Sequence, residues 1–328
     1  MSTKIDWCDE TLNPFVGCSE GCPWCYAAKL HNRRHEAWKG GRWPSAPKQY
    51  HFPFNVVQFH ADRLKTPMKW LKPKRIFLNS MTDIFDPKVN RADMDRTMAM
   101  VALCRQHTFL ILTKQARAMR EYLANPGVAE RVACEMCFLM SGIRPPTVPQ
   151  HLRAPWPLPN LQVGVSVTNQ DDADERIPEL LQSPAFLRFV SVEPLVGPVD
   201  LSKWLDCTGM PDCNVCDGQR LHWVICGGMT GKDAVAMYPA WVRSLRDQCV
   251  SAGVPFFFKG WGEWCPGENY SGRAPFRNWK EFRQGETVPH PVSIFGDEAS
   301  KGHQMVVRIG KKKAGWLLDG REWREYPA

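Results

Sequence analysis

The sequence contains no run of about 18 uninterrupted apolar residues, the minimum for a helix that crosses a membrane. Its opening, Met1-Ser-Thr-Lys-Ile-Asp-Trp7, lacks the apolar core of a secretory signal. Together these absences lead to the expectation of a cytoplasmic protein with no membrane partner. In that compartment the 13 cysteines stay largely reduced, so metal binding accounts for their clustering better than disulfides do. Charge of one sign is also in short supply. The 42 Lys and Arg exceed the 34 Asp and Glu by enough for a formal +8, concentrated at 29–42, 65–75 and 311–313. Such a surplus favours polyanions, yet ordinary soluble enzymes carry it too. Exposed tryptophans beside basic residues would stack on bases, although most of the 14 are expected in the core. With 328 residues and 44% apolar content, the chain is long enough for one large barrel or two smaller domains.

What is present is a cysteine trio. Cys18, Cys22 and Cys25 lie in Gly17-Cys-Ser-Glu-Gly-Cys-Pro-Trp-Cys-Tyr-Ala27 at the spacing C-x3-C-x2-C. Three thiolates ligate three corners of a 4Fe-4S cluster and leave one iron open, whereas a four-cysteine set occupies every iron. Zinc is the alternative, but structural zinc takes four ligands in two pairs, and no second pair sits at that spacing nearby. Cys104, Cys226 and Cys249 fall in apolar patterns and read as core residues. Cys134 and Cys137 form a bare pair that would pack inward from a helix, with no ligand role.

The pattern along the chain predicts an α/β fold. A helix over 26–38 follows the trio and ends at Gly40-Gly41; residues 39–74 read as an irregular covering insertion with a short helical piece at about 54–64. Apolar runs at 75–79, 109–113, 161–167, 187–192, 222–226 and 254–258, with a first strand just before Cys18, predict parallel strands. Helices are expected at 92–106, 116–123, 171–181 and 239–252. Polar residues collect just past each strand: Asn79, Ser80, Thr82 and Asp83; Thr113 and Lys114; Ser166, Thr168 and Asn169; Glu193; Gly227 and Gly228; Lys259. In a β/α barrel those ends converge on an active site, while the same residue types also cap helices. The expected layout is a barrel over 1–265, with insertions at 39–74 and 203–221, and a C-terminal extension over 266–328. Cys207, Cys213 and Cys216, with His222, could form a second site for zinc or an iron-sulfur cluster, or hold no metal.

The cysteine trio with Tyr26 directly after it resembles the radical S-adenosylmethionine (radical SAM) superfamily. The wider set is more similar to an uncharacterised three-cysteine-motif family common in bacteriophages and prophages: Trp7 with Thr11-Leu-Asn-Pro14, Leu78-Asn-Ser-Met-Thr-Asp-Ile-Phe85, Leu112-Thr-Lys114, Gly164-Val-Ser-Val167, Ser191-Val-Glu-Pro-Leu195, Phe257-Phe-Lys259 and Leu317-Leu-Asp-Gly-Arg321. The resemblance implies a partial or near-complete TIM-type β/α barrel. Its 4Fe-4S cluster would be held by Cys18, Cys22 and Cys25, with S-adenosylmethionine on the open iron and an electron donor such as flavodoxin or ferredoxin. It implies reductive cleavage of S-adenosylmethionine to a 5'-deoxyadenosyl radical, which takes hydrogen from a substrate.

By the same resemblance Tyr26 lies by the adenine through its backbone, Asn79, Ser80, Thr82 and Asp83 meet the methionine amino group, Ser166 and Thr168 reach the ribose or carboxylate, and Glu193 binds a ribose hydroxyl or the methionyl end. Gly227 and Gly228 permit close approach of a ligand, and Lys114 and Lys259 bind substrate. The sequence departs from the family at Gly227-Gly-Met-Thr-Gly231, where the family shows Gly-Gly-Glu-Ser-Gly; Met229 removes a carboxylate and with it any acid/base role there. A nucleic acid or nucleotide is the expected substrate, with a peptide or small metabolite, or a non-catalytic metal-stabilised nucleic-acid-binding phage protein, as alternatives.

Overall fold

The computed structural model describes residues 3, 5–150, 153–205, 219–275, 278–282, 289–291 and 304–327. It divides into two compact units, Met1–Val165 with Gln182–Arg188, and Ser166–Leu181 with Phe189–Ala328.

The first unit runs through β1 (Glu10–Leu12), β2 (Phe15–Val16), α1 (Tyr26–Lys39), β3 (Gln58–Phe59), β4 (Arg75–Leu78), α2 (Arg91–Leu103), β5 (Thr108–Thr113), α3 (Ala116–Leu123), α4 (Val128–Ser141) and into β6 (Leu161–Val167). Its parallel strands are ordered β1-β4-β5-β6. The runs Ile76–Leu78 and Phe109–Ile111 are buried on both faces, which is why these strands read as continuous apolar stretches rather than alternating ones. Helix α2 buries Met94 and the run from Met98 to Ala102, its apolar C-terminal half, and packs against α4. Asn90 caps α2, its side chain accepting from Ala92 N at 2.9 Å.

The second unit takes in the C-terminal end of β6, then α5 (Gln170–Leu181), most of β7 (Leu187–Val192), α6 (Ser202–Leu205), β8 (Trp223–Gly227), α7 (Pro239–Ser251) and β9 (Phe256–Gly260), with β7-β8-β9 parallel. After them come β10 (Trp264–Pro266), β11 (Trp279–Phe282), β12 (His290–Pro291) and β13 (Gln304–Arg308), an antiparallel sheet ordered β10-β13-β11-β12. The short helix α8 (Lys311–Ala314) leads to the hairpin β14 (Leu317–Leu318) and β15 (Arg321–Glu322). Its two turn residues, Asp319 (φ 52°) and Gly320 (φ 75°), both adopt the left-handed backbone that a tight hairpin turn demands. Beyond the hairpin the chain lies along β9, with Phe258 N donating to Trp323 O at 2.7 Å, so this tail covers backbone groups that an edge strand would expose.

The α/β class and the alternation of parallel strands with helices hold, and both are what a partial β/α barrel uses. The beginning of the chain differs from expectation. The strand just before Cys18 is β2, which pairs antiparallel with β3; the first parallel strand is β1, closer to the N-terminus. The helical piece expected near 54–64 is β3 followed by a 3-10 turn, Ala61–Lys65. Among the described residues no helix is long and apolar enough to cross a membrane.

Behind the strands, Asp95 of α2 is only 3% exposed and accepts from Tyr122 Oη (2.7 Å) and Arg131 Nε (2.7 Å), tying α2 to α3 and α4. Removing Arg131 leaves a buried charge with no cation beside it and only the Tyr122 hydroxyl among its named donors. Arg131→Met should therefore lower unfolding stability by about 3 kcal/mol. The urea midpoint measures this, and the double variant Asp95→Leu/Arg131→Met should regain part of the loss.

Candidate functional site

The cysteine loop leaves β2 at Gly17, whose φ of 104° favours glycine. A Cβ there would clash with Val56 O. Gly17 N donates to Met81 O at 3.0 Å and Gly17 O accepts from Thr82 Oγ1 at 2.7 Å, so the turn after β4 grips the loop on both sides. Cys18 N donates to Phe54 O at 2.8 Å. Ser19 donates through both N and Oγ to Asp86 Oδ2, at 2.6 and 2.8 Å. At the far end Cys25 is the N-cap of α1, its sulfur accepting from Ala28 N at 3.3 Å.

The end of β5 reaches the same loop. Lys114 Nζ lies 3.1 Å from Cys22 Sγ and 5.5 Å from the centre of the Trp24 ring, and Gln115 donates to Glu20. Lys114 is itself positioned by Asp83, a buried carboxylate that accepts from Lys114 N (2.8 Å), Thr113 Oγ1 (2.7 Å) and Phe85 N (3.0 Å). Burial pushes the Asp83 carboxyl pKa up, and these three donors work against that shift. The Cys18 thiol is pushed up to about 12, first by burial and then by the Asp83 and Asp86 charges, with the backbone N–H groups of Glu20 and Asp83 opposing. A cationic centre beside these sulfurs would reverse that balance.

All three cysteines are free of disulfides and half-buried. Among the described residues no three His, Cys, Asp or Glu side chains are gathered at metal-binding distance. The soft three-sulfur donor set, backed by one ammonium and one helix N–H, nevertheless suits an iron-sulfur cluster, and metal binding itself supplies free energy to draw ligands together.

The other residues singled out after β4 hold the loop in place. Tyr26 Oη donates to Ser80 O (2.7 Å), and Ser80 Oγ donates to Asn13 Oδ1 (3.1 Å). Asn79, with φ 62° and 3% exposure, accepts from Phe15 N through Oδ1 at 3.2 Å, while its Nδ2 has no hydrogen-bond partner. That amide is an unused buried donor at the end of β4.

In the second unit the strand ends carry a different set. Thr168 donates through N and Oγ1 to Asp172 Oδ2 (2.9 and 2.6 Å), Asn169 Oδ1 caps α5 by accepting from Asp172 N (2.9 Å), and Ser166 O accepts from Arg176 (2.7 Å). Glu193, after β7, pairs with Lys259 of β9 at 2.6 Å. Gly227 of β8 lies beneath them: a Cβ there would sit 3.3 Å from Lys259 Cβ and 3.5 Å from Glu193 Cδ. Gly228 is required for another reason. Its missing side chain makes room for Trp261 O, this chain's own backbone, rather than for a ligand. Met229 O accepts from Glu263 N (3.1 Å), and the Glu263 carboxylate turns back to Gly231 N (3.0 Å).

Cys207, Cys213 and Cys216 lie outside the described residues; His222 stands at the start of β8, the end away from Gly227. The zinc expectation thus finds no support. Cys104, Cys226 and Cys249 are buried core residues whose thiol pKa values burial pushes up. Sequence reading passed over Asp86, Trp24 and Gln115. Asp86 and Gln115 directly follow the quoted strand-end segments, and Trp24 sits inside the cysteine motif itself.

Three solved structures of spore photoproduct lyase are similar in outline. A cysteine-to-serine mutant has a TM-score of 0.40 and 9% identity; the same lyase complexed with dinucleoside spore photoproduct has 0.39 and 9%; a tyrosine-to-phenylalanine mutant has 0.39 and 8%. Each alignment covers 94% of this chain and 71% of the other. No curated protein matches the chain. Residues 2–327 match the family model described as "Protein of unknown function (DUF5131)", and the chain belongs to that family.

Proposed function

We propose that this protein is a radical S-adenosylmethionine enzyme whose 4Fe-4S cluster is held by Cys18, Cys22 and Cys25. The observation that carries the reading is the loop itself: three free sulfurs at C-x3-C-x2-C spacing, pinned between strand ends, with a lysine ammonium 3.1 Å from the middle one. A fourth cysteine is absent from that loop, and a three-sulfur set leaves one iron for a further ligand. When bound, the cluster supplies the electron for reductive cleavage of the sulfonium carbon–sulfur bond of S-adenosylmethionine, after which hydrogen is taken from substrate.

The chain's own residues position and exclude. Gly17 and Cys25 set the two ends of the loop, and Thr82, Asp86 and Gln115 hold its backbone and side chains. Asn79 offers its unused amide NH2 to a ligand near β4. Lys114 is a positioning residue: its ammonium donates to the Cys22 sulfur and offsets negative charge there, which favours the reduced state. A flavodoxin or ferredoxin would deliver the electron, and the basic segments favour a nucleic acid or nucleotide as substrate.

Anaerobic reconstitution with iron and sulfide, followed by dithionite and S-adenosylmethionine, should yield 5'-deoxyadenosine and methionine. Cys22→Ala should abolish the product. Iron uptake without any cleavage would instead support a structural metal in a non-catalytic protein.

Lys114→Met removes a charge-assisted hydrogen bond to sulfur, worth about 1.5–3 kcal/mol. The reduction midpoint should fall, by at most about 60–130 mV for a one-electron couple, because only the part of that energy that differs between the oxidised and reduced states moves it. A redox titration followed by electron paramagnetic resonance reads this directly, and an unchanged midpoint would remove Lys114 from the account.

A further inference from the structure

An open cleft of about 460 Å³ lies in the second unit, formed by residues around β11, the end of β13 and the start of α8. Among the described residues its lining includes Tyr270, Arg273, Asn278, Arg308 and Lys313, and no Asp or Glu. Three cations therefore face one concavity. Arg308 is fixed there, donating to the carbonyls of Gly231 and Lys232 and lying over the Trp264 ring at 5.9 Å; none of these partners neutralises its charge. Arg273 and Lys313 are exposed and have no carboxylate partner among the described residues. Glu263, the carboxylate beside Gly310, is turned to Gly231 N. Lys311 and Lys312, both exposed, extend the positive surface from Lys313 along α8.

The aromatic in the cleft is held as a fixed surface. The Tyr270 ring meets Trp279 edge-on at 5.9 Å, and Tyr270 N donates to Gly267 O at 3.1 Å. A side chain at Gly272 would collide with the phenol ring, so the chain wraps that edge closely. Guanidinium forks and an ammonium recognise phosphate oxygens, and an aromatic ring stacks on an unpaired base. Paired bases hide their faces within the helix, so this combination selects single strands over duplex.

From the cations, the ring and the lack of carboxylates among the described lining residues, we propose that this cleft binds single-stranded nucleic acid, with Arg273, Arg308 and Lys313 on the phosphodiester backbone and Tyr270 under a base. The inference stands apart from the iron centre, because it needs neither cluster nor S-adenosylmethionine. It assigns the chain a strand-holding surface distinct from the cysteine loop.

The test is fluorescence anisotropy with the full chain and a labelled single-stranded oligonucleotide of about 15 nucleotides, between about 50 and 200 mM salt. Arg273→Glu/Lys313→Glu changes exposed positions only, and its thermal midpoint should match that of the wild type. Its affinity should fall at least about tenfold, with the slope of log K against log salt shallower by about 1.4. Tyr270→Leu should weaken binding about 5- to 100-fold while leaving the slope unchanged. The control Arg105→Glu/Lys203→Glu, an equal charge change elsewhere, should bind as the wild type does. Wild-type affinity and slope in the Arg273/Lys313 double variant would overturn the proposal. So would a duplex binding as tightly as the single strand, or inorganic phosphate displacing the strand at equal phosphate concentration.

Discussion

Asp83 is the group on which the arrangement of the cysteine loop depends. A carboxylate taken fully out of water is costly unless its lone pairs are used, and here Thr113, Lys114 N and Phe85 N use them. Those bonds lock the turn after β4 to the end of β5. From the first side of that joint, Met81 and Thr82 hold Gly17; from the second, Lys114 reaches Cys22 and Gln115 reaches Glu20. The loop is thus shaped by strand ends distant in sequence, while its own contribution is the absence of a side chain at Gly17 and the helix start at Cys25.

The same economy appears in the second unit. Gly227 lets the Glu193 and Lys259 side chains meet above β8, and Gly228 lets the β9–β10 turn press against the backbone. Polar strand-end residues here divide into two kinds. Thr168 is spent on holding a helix, whereas Glu193 and Lys259 form a partly exposed ion pair whose charges solvent still reaches.

Much of the fold was legible because buried strands announce themselves. Residues 161–167 and 187–192 match β6 and β7, and 116–123 matches α3, since each is a strongly patterned run bounded by breakers. β1 is only three residues long, too short to show a period. The site was legible as chemistry but not as contacts. Cysteine spacing singles out the three sulfurs of the proposed donor set. That Thr168 would turn to Asp172, that Gly228 would admit Trp261 O, and that Lys114 would meet a sulfur 92 residues earlier are decided by packing, which no local pattern encodes.

The central claim is that three sulfurs leave one iron able to take a sulfonium ligand. Electron paramagnetic resonance of the dithionite-reduced, reconstituted protein, recorded before and after adding S-adenosylmethionine, tests it most directly. The account predicts a 4Fe-4S signal whose g-values shift on addition, because the open iron gains a ligand. A signal that S-adenosylmethionine leaves untouched, or a protein that takes up zinc in place of iron, would contradict it.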